Sequence, residues 1–235
     1  MTASTSTGSQ TTLAKVGDQW KPATWEDYLA YRDNPTPERV RLFFHQGRLL
    51  IYKGSEGINH ARVSDLFTML YLLWFSRFAE QTADSLGRCL LEKPQTQAAA
   101  PDLVLYIGEG VPQWEPGEPR RIDLTRWRVP DLVGEVSDTT LADDLDEKKD
   151  LYASLEIPEY WVINVRGRQA NALRARYANA FRLQENGKYE QYSHSVALAG
   201  LPIVVLEQTL ERLREGTNIS AALWFAQQIA NLKAE

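Results

Sequence analysis

Three ionisable side chains stand where packing favours apolar ones. In Pro101-Asp102-Leu103-Val104-Leu105-Tyr106-Ile107 a carboxylate heads a strand that reads as buried. In Pro130-Asp131-Leu132-Val133-Gly134-Glu135-Val136-Ser137 the two-residue period of a strand puts Asp131, Val133, Glu135 and Ser137 on one face, so Glu135 is a carboxylate within an apolar run. Over Thr139 to Leu155 the spacing predicts a helix on which Leu145, Lys148, Tyr152 and Leu155 form one stripe. Lys148 interrupts that stripe, whereas Lys149, about 100° around the helix, points elsewhere.

Burying a carboxylate is costly unless it pairs with a cation, binds a metal or takes up a proton. Two carboxylates on neighbouring strands can hold a hard divalent ion through oxygen, and Mg²⁺ favours few carboxylates together with waters and phosphate oxygens. A lysine beside them can position or deprotonate an attacking water, or neutralise charge developing on a phosphate. Asp102, Glu135 and Lys148 together are the equipment of metal-assisted phosphodiester hydrolysis. Each also has a plainer reading. Asp102 suits a solvated turn beside proline. Glu135 could pair with an arginine such as Arg126 or Arg128, and Lys148 could lie along the surface with its ammonium at the rim.

The elements that must position these residues can be read from period and breakers. Thr24 caps a short helix over Trp25 to Tyr31, with Glu26 and Asp27 in its first turn. Val40 to Phe44 and Arg48 to Tyr52 flank His45-Gln46-Gly47 as a β-hairpin. Val63, Leu66, Phe67, Leu70, Leu73 and Trp74 recur at helical spacing. Asp102 to Ile107, Asp131 to Ser137 and Glu159 to Val165 read as strands, and the Gly- and Pro-rich stretch between the first two as loop. Ala170 to Tyr177, Ala180 to Leu183 and Tyr189 to Tyr192, around the Asn186-Gly187 turn, suit an antiparallel extension, and Ile219 to Leu232 a closing amphipathic helix. The order predicts an α/β class with one mixed sheet and helices on its faces. Residues 1–18 read as a disordered tail and 19–235 as a single domain.

Composition sets limits. The 235 residues are 43% hydrophobic and 24% charged, enough for a packed core. With 26 basic against 31 acidic side chains the net charge is -5, which argues against coating nucleic acid through bulk positive charge. One cysteine cannot form an internal disulfide, and three separated histidines argue against a zinc site. The Ser/Thr-rich start lacks an apolar signal region and no apolar run is long enough for a bilayer. The expectation is a cytoplasmic protein with no membrane partner.

The run VPDLVGEVSDTTLADDLDEKKDLYASLEIPEYWVINV, with the upstream PDLVLYI and RLFFHQGRLLIYKGSEGINHARVSDLF, resembles the Uma2 family of restriction endonucleases in the PD-(D/E)xK nuclease superfamily. The resemblance is strongest over residues 40–165. It implies a restriction-endonuclease-like core with an N-terminal β-hairpin, flanking helices and a C-terminal antiparallel extension. It implies an endonuclease that uses Mg²⁺ or Mn²⁺ on DNA, with Asp102 and Glu135 as metal ligands, the Val136 carbonyl as a further ligand and Lys148 as the catalytic lysine. Ser137 occupies the usual lysine position, and Lys148, four residues before Tyr152, takes its place from the helix. Superfamily members commonly dimerise, which makes a homodimer or higher homo-oligomer a partner to test. The chain departs from the family at Phe43 and Ala61, where relatives often carry glutamate. Asp65 or Glu56 could compensate, and the expectation is that neither does.

Other features read as structural. Trp74, Tyr160, Trp161 and Trp224 suit the core, whereas Trp114 and Trp127 sit in loops open to a strand or partner. Arg120, Arg121, Arg126 and Arg128 could follow a phosphate backbone or pair with Glu115, Glu118 and Asp123. Asp143, Asp144, Asp146 and Glu147 suit a helix start by dipole, and His60 reads as a helix-start or packing residue. Two other functions fit the residues. One is a non-catalytic nuclease fold used for nucleic-acid binding or protein assembly. The other is a metal-free hydrolase using Asp102 and Glu135 as an acid and base, against which Lys148 should lower the carboxylate pKa values.

Overall fold

Alternating side chains set the strands of this protein, and the alternation decides which layer each residue enters. The computed structural model describes residues 17–34, 40–53, 56–78, 81–167 and 177–232. In chain order the elements are β1 (Gly17–Pro22), α1 (Trp25–Arg32), β2 (Val40–His45), β3 (Arg48–Lys53), α2 (Ile58–Phe78), β4 (Ala83–Ser85), β5 (Leu91–Lys93), β6 (Gln97–Ala99), β7 (Leu103–Ile107), β8 (Ile122–Asp123), β9 (Leu132–Ser137), α3 (Leu141–Leu145), α4 (Glu147–Ser154), β10 (Glu159–Asn164), β11 (Ala178–Leu183), β12 (Tyr189–Gln191), α5 (Ile203–Glu215) and α6 (Asn218–Ala230). This is the α/β class expected, but the strands divide into two six-stranded sheets rather than one. The first runs β1-β3-β2-β6-β5-β8 and the second β12-β11-β10-β9-β7-β4.

Local chemistry explains the elements nearest the site. Thr24 starts α1 with a reciprocal capping box to Asp27. Gln46 and Gly47 both adopt positive φ, 48° and 68°, as the tight turn joining β2 to β3 requires. The helix expected over Thr139 to Leu155 is broken at Asp146, whose φ of -117° and ψ of -88° lie outside the helical region. β9 pairs in parallel with β10 and antiparallel with β7, and every residue of β9 is buried.

On one face of the second sheet, Leu103, Leu105, Leu132, Val136, Trp161 and Ile163 pack with α2, α5 and α6. Its other face presents Val104, Tyr106, Val133, Tyr160 and Val162 to Leu151 and Tyr152 of α4 and to Phe43 and Leu50 of the first sheet. The far side of the first sheet is closed by Tyr28 of α1 against Leu42, Phe44, Leu49 and Ile51. Each large apolar side chain so buried contributes roughly 1.5–3 kcal/mol. The site therefore lies between the two sheets, beside α4.

Other expectations meet the structure unevenly. α5 and β1 were not expected, and β8 forms within the predicted loop by pairing with β5. α6 turns Ala221, Ala222, Phe225 and Ile229 inward, so its apolar face belongs to the core. Residues 1–16 of the expected tail, and most of Ala170 to Tyr177, lie outside the described residues. Among the described residues no helix is long and apolar enough to cross a membrane.

Candidate active site

The antiparallel register of β7 and β9, with Leu103 opposite Gly134 and Leu105 opposite Leu132, fixes which acids can meet. Asp102, just before β7, falls beside the end of β9, where its Oδ2 accepts a 2.8 Å hydrogen bond from the Val136 amide. Asp131 falls at the opposite end. Its Oδ2 accepts from the Ile107 amide at 2.7 Å and pairs with Arg128 at 2.8 Å, a clamp remote from Asp102.

Glu135 and Asp102 share a cation that the sequence reading did not identify. Arg41 on β2 places Nη1 2.7 Å from Asp102 Oδ1 and Nη2 3.0 Å from Glu135 Oε2. The contact to Oδ1 is close but not aligned as a hydrogen bond, and among the described residues that oxygen accepts no other. Nη2 and Nε of Arg41 also donate to the Ala100 carbonyl. The ion pair considered for Glu135 therefore exists, with Arg41 rather than Arg126 or Arg128. Arg126 pairs with Glu118 and Arg121 with Glu92.

Lys148 is buried, not at the rim, and its Nζ lies 2.8 Å from Asp144 Oδ1 and 3.3 Å from Glu135 Oε2. The Phe43 ring centroid is 4.4 Å from the same ammonium and 5.5 Å from the Arg41 guanidinium. An aromatic face thus stands beside both cations, at the position where relatives were expected to carry an acid. Tyr152, one helical turn beyond Lys148, donates its hydroxyl to Glu135 Oε1. Asp144 does more than complement a helix dipole: it is buried, accepts from Thr140 and anchors the lysine. Ser137, at the strand position that the resemblance assigns to a lysine, is buried, and its hydroxyl has no hydrogen-bond partner among the described residues.

His60 is the helix-start residue expected, third in α2 and buried, and it also joins the cluster: it places Nε2 3.1 Å from Asp102 Oδ2 and Nδ1 3.2 Å from Glu56 Oε2. Glu56, His60 and Asp102 each bring a ligand atom within 4.8 Å of the others. Asp65 is exposed and takes no part. Burial alone would lower the His60 pKa, but the hydrogen bond and charge of Asp102, with Glu56, raise it above 6.5. A raised histidine pKa stabilises the fold below the ordinary value, and that stability is lost as pH climbs through the folded value. His60→Ala is therefore expected to cost about 1–3 kcal/mol, with the larger loss at about pH 5 than at about pH 9. Urea unfolding at the two pH values measures this, and a pH-independent loss would remove the ionic account.

The carboxylates respond to one environment in opposite ways. Burial raises the Asp102 pKa, but Arg41, His60 and the Val136 amide together hold it well below the usual carboxylate range. For Glu135 burial outweighs Lys148 and Arg41, and its carboxyl is pushed up to about 7. The expected lowering by Lys148 is present but overcome. Desolvation opposes charge on Lys148, yet Glu135 and Asp144 raise its pKa above the ordinary value and keep it an ammonium. Asp102, Glu135 and Lys148, separated by 33 and 13 positions in the chain, are thus gathered around Arg41, with Val136 adjoining through its backbone.

The loop arginines and tryptophans lie elsewhere. Trp114, 56% exposed, and Trp127 line a cavity of about 590 Å³ with Arg120, Arg126 and Cys89.

The sequence matches the model of the Uma2 family, described as "putative restriction endonuclease", over residues 25–217. No curated protein matches it significantly. Its fold is similar to the crystal structure of a "putative nuclease belonging to DUF820" from Anabaena variabilis ATCC 29413. The TM-score is 0.54 at 16% identity, covering 80% of this chain and 99% of that one. At that identity the likeness concerns the fold. The family match spans most of the chain, including every residue gathered around Arg41, and the chain belongs to the Uma2 family of "putative restriction endonucleases".

Proposed function

We propose that this protein is a metal-dependent endonuclease that hydrolyses phosphodiester bonds in DNA, with Asp102 and Glu135 as ligands of Mg²⁺ or Mn²⁺ and Lys148 as the catalytic cation. The observation that carries the reading is the convergence of those three side chains, from the residue before β7, from β9 and from α4, in one buried cluster. The family's description supports DNA as the substrate.

The donor set fits a hard divalent ion. Two buried carboxylates reach the same guanidinium, and among the described residues Asp102 Oδ1 has no aligned hydrogen bond. Val136 turns its amide to Asp102, and in a strand the amide and carbonyl of one residue face the same neighbour, so its carbonyl is the natural third oxygen. A bound ion would polarise a phosphate oxygen and acidify water. Lys148, held by Asp144 and Glu135, presents fixed positive charge where negative charge develops in the transition state. His60 orients Asp102, and Tyr152 orients Glu135.

Calorimetric titration with Mn²⁺ and cleavage of plasmid DNA test the reading together. Wild-type protein is expected to bind Mn²⁺ and cleave, Asp102→Asn to bind about tenfold or more weakly, and EDTA to stop cleavage. Cleavage that persists in excess EDTA defeats the proposal. A second reading, a non-catalytic nuclease fold used for binding or assembly, is favoured by Arg41 lying between the carboxylates and by Phe43 in place of an acid. Failure of the folded wild type to bind Mn²⁺ or cleave DNA selects it.

A further inference from the structure

The guanidinium of Arg41 contacts one oxygen of Asp102 and one of Glu135, the same pair assigned above to the metal. Lys148 cannot substitute for it, since its ammonium is committed to Asp144 and the same Glu135 oxygen. A divalent ion that used Asp102 Oδ1 and Glu135 Oε2 would meet a fixed positive charge within hydrogen-bond distance of both. Two such charges sharing a buried pair of carboxylates repel strongly, because low-dielectric surroundings screen them little.

Arg41 also reaches the surface, which the carboxylates do not. Its side chain is 25% exposed, against about 1% for the two carboxylates it joins. Its head group also donates to the Ala100 carbonyl and lies 5.5 Å from the centroid of the Phe43 ring. A long, flexible side chain that already reaches the surface can carry its head group out to solvent.

We propose that Arg41 is a resident counter-cation seated where the divalent ion would bind, so that the metal enters by exchange for the guanidinium. The inference rests on the metal-dependent reading above and adds to it a device that protects two buried carboxylates when no metal is bound. The displaced guanidinium, freed at the mouth of the cluster, suits a bidentate contact to an incoming phosphate.

The test compares Mn²⁺ binding by the full-length wild type, Arg41→Met and Arg41→Lys, using calorimetry together with the spin resonance of free Mn²⁺. Arg41→Met is expected to bind about tenfold or more tightly than wild type, a difference near 1.4 kcal/mol. Arg41→Lys should fall between them, because one ammonium cannot reach both carboxylates as the fork does. Thermal unfolding supplies a readout independent of activity. Without metal, Arg41→Met should melt below wild type, and Mn²⁺ should raise its melting temperature by the larger increment. Equal or weaker Mn²⁺ binding by folded Arg41→Met overturns the exchange while leaving the nuclease reading intact. Absence of binding in all three folded proteins overturns both.

Discussion

Lys148→Ala is expected to slow DNA cleavage by about 10²–10³-fold, the usual consequence of deleting one fixed charge that serves the transition state. The same change should cost roughly 3–5 kcal/mol of stability, because it strips the ammonium from two buried carboxylates, Glu135 and Asp144. These effects are separable: single-turnover cleavage measured well below the variant's melting temperature reports the first, and urea unfolding the second. Lys149→Ala is the control. Its ammonium lies 4.3 Å from the Phe181 ring centroid, away from the cluster, so cleavage should stay within about twofold of wild type. Comparable loss in both variants would show that position on the helix does not matter and would remove Lys148 from the chemistry.

Glu135→Gln should also damage activity, and in the wild type Glu135 should make metal affinity and stability depend on pH in opposite directions. The amide keeps the shape but cannot supply a charged ligand, so Mn²⁺ affinity should fall by about 100-fold or more. In the wild type the carboxyl, raised to about 7, must ionise before it can bind metal, so affinity should increase as pH rises towards and past that value. The stability effect runs the other way. Between the ordinary value of 4.5 and about 7 the folded protein holds a proton that the unfolded chain has released. The metal-free wild type therefore loses stability with rising pH through that window. Glutamine does not titrate, so stability measured relative to Glu135→Gln should decline between about pH 5 and pH 7. A flat difference would mean that Arg41 and Lys148 keep Glu135 ionised throughout.

Much of this arrangement was legible because its signals are local. Glu135 breaks the alternation of β9 and Lys148 the stripe of α4, and both irregularities survive in the fold as buried charges. Arg41 carries the same signal, since it shares a face of β2 with Phe43 while Leu42 and Phe44 face the other side. What sequence could not supply was its partner, 94 residues away in Glu135, and nearer arginines stood in for it. Asp144 escaped notice because a helix-start acid already has a sufficient explanation, although it stands four residues before Lys148, the spacing of one helical face. The division into two sheets depends on β5 and β6, three residues each, too short to display a period. α5 was readable, with Ile203, Leu206, Leu210 and Leu213 at helical spacing behind Pro202. His60 offered one polar residue in an amphipathic helix, and its contact with Asp102 is a tertiary fact.

The interruption at Asp146 has a consequence for heat inactivation. It leaves the lysine on an eight-residue helix and its anchor on a five-residue one, lengths that do not persist unless docked. Such a segment can come away in a sub-global opening, at a lower free energy than the strands beneath it. Warming should therefore silence the proposed cleavage before the sheets melt, and cooling from that intermediate range should restore it without refolding from the unfolded chain.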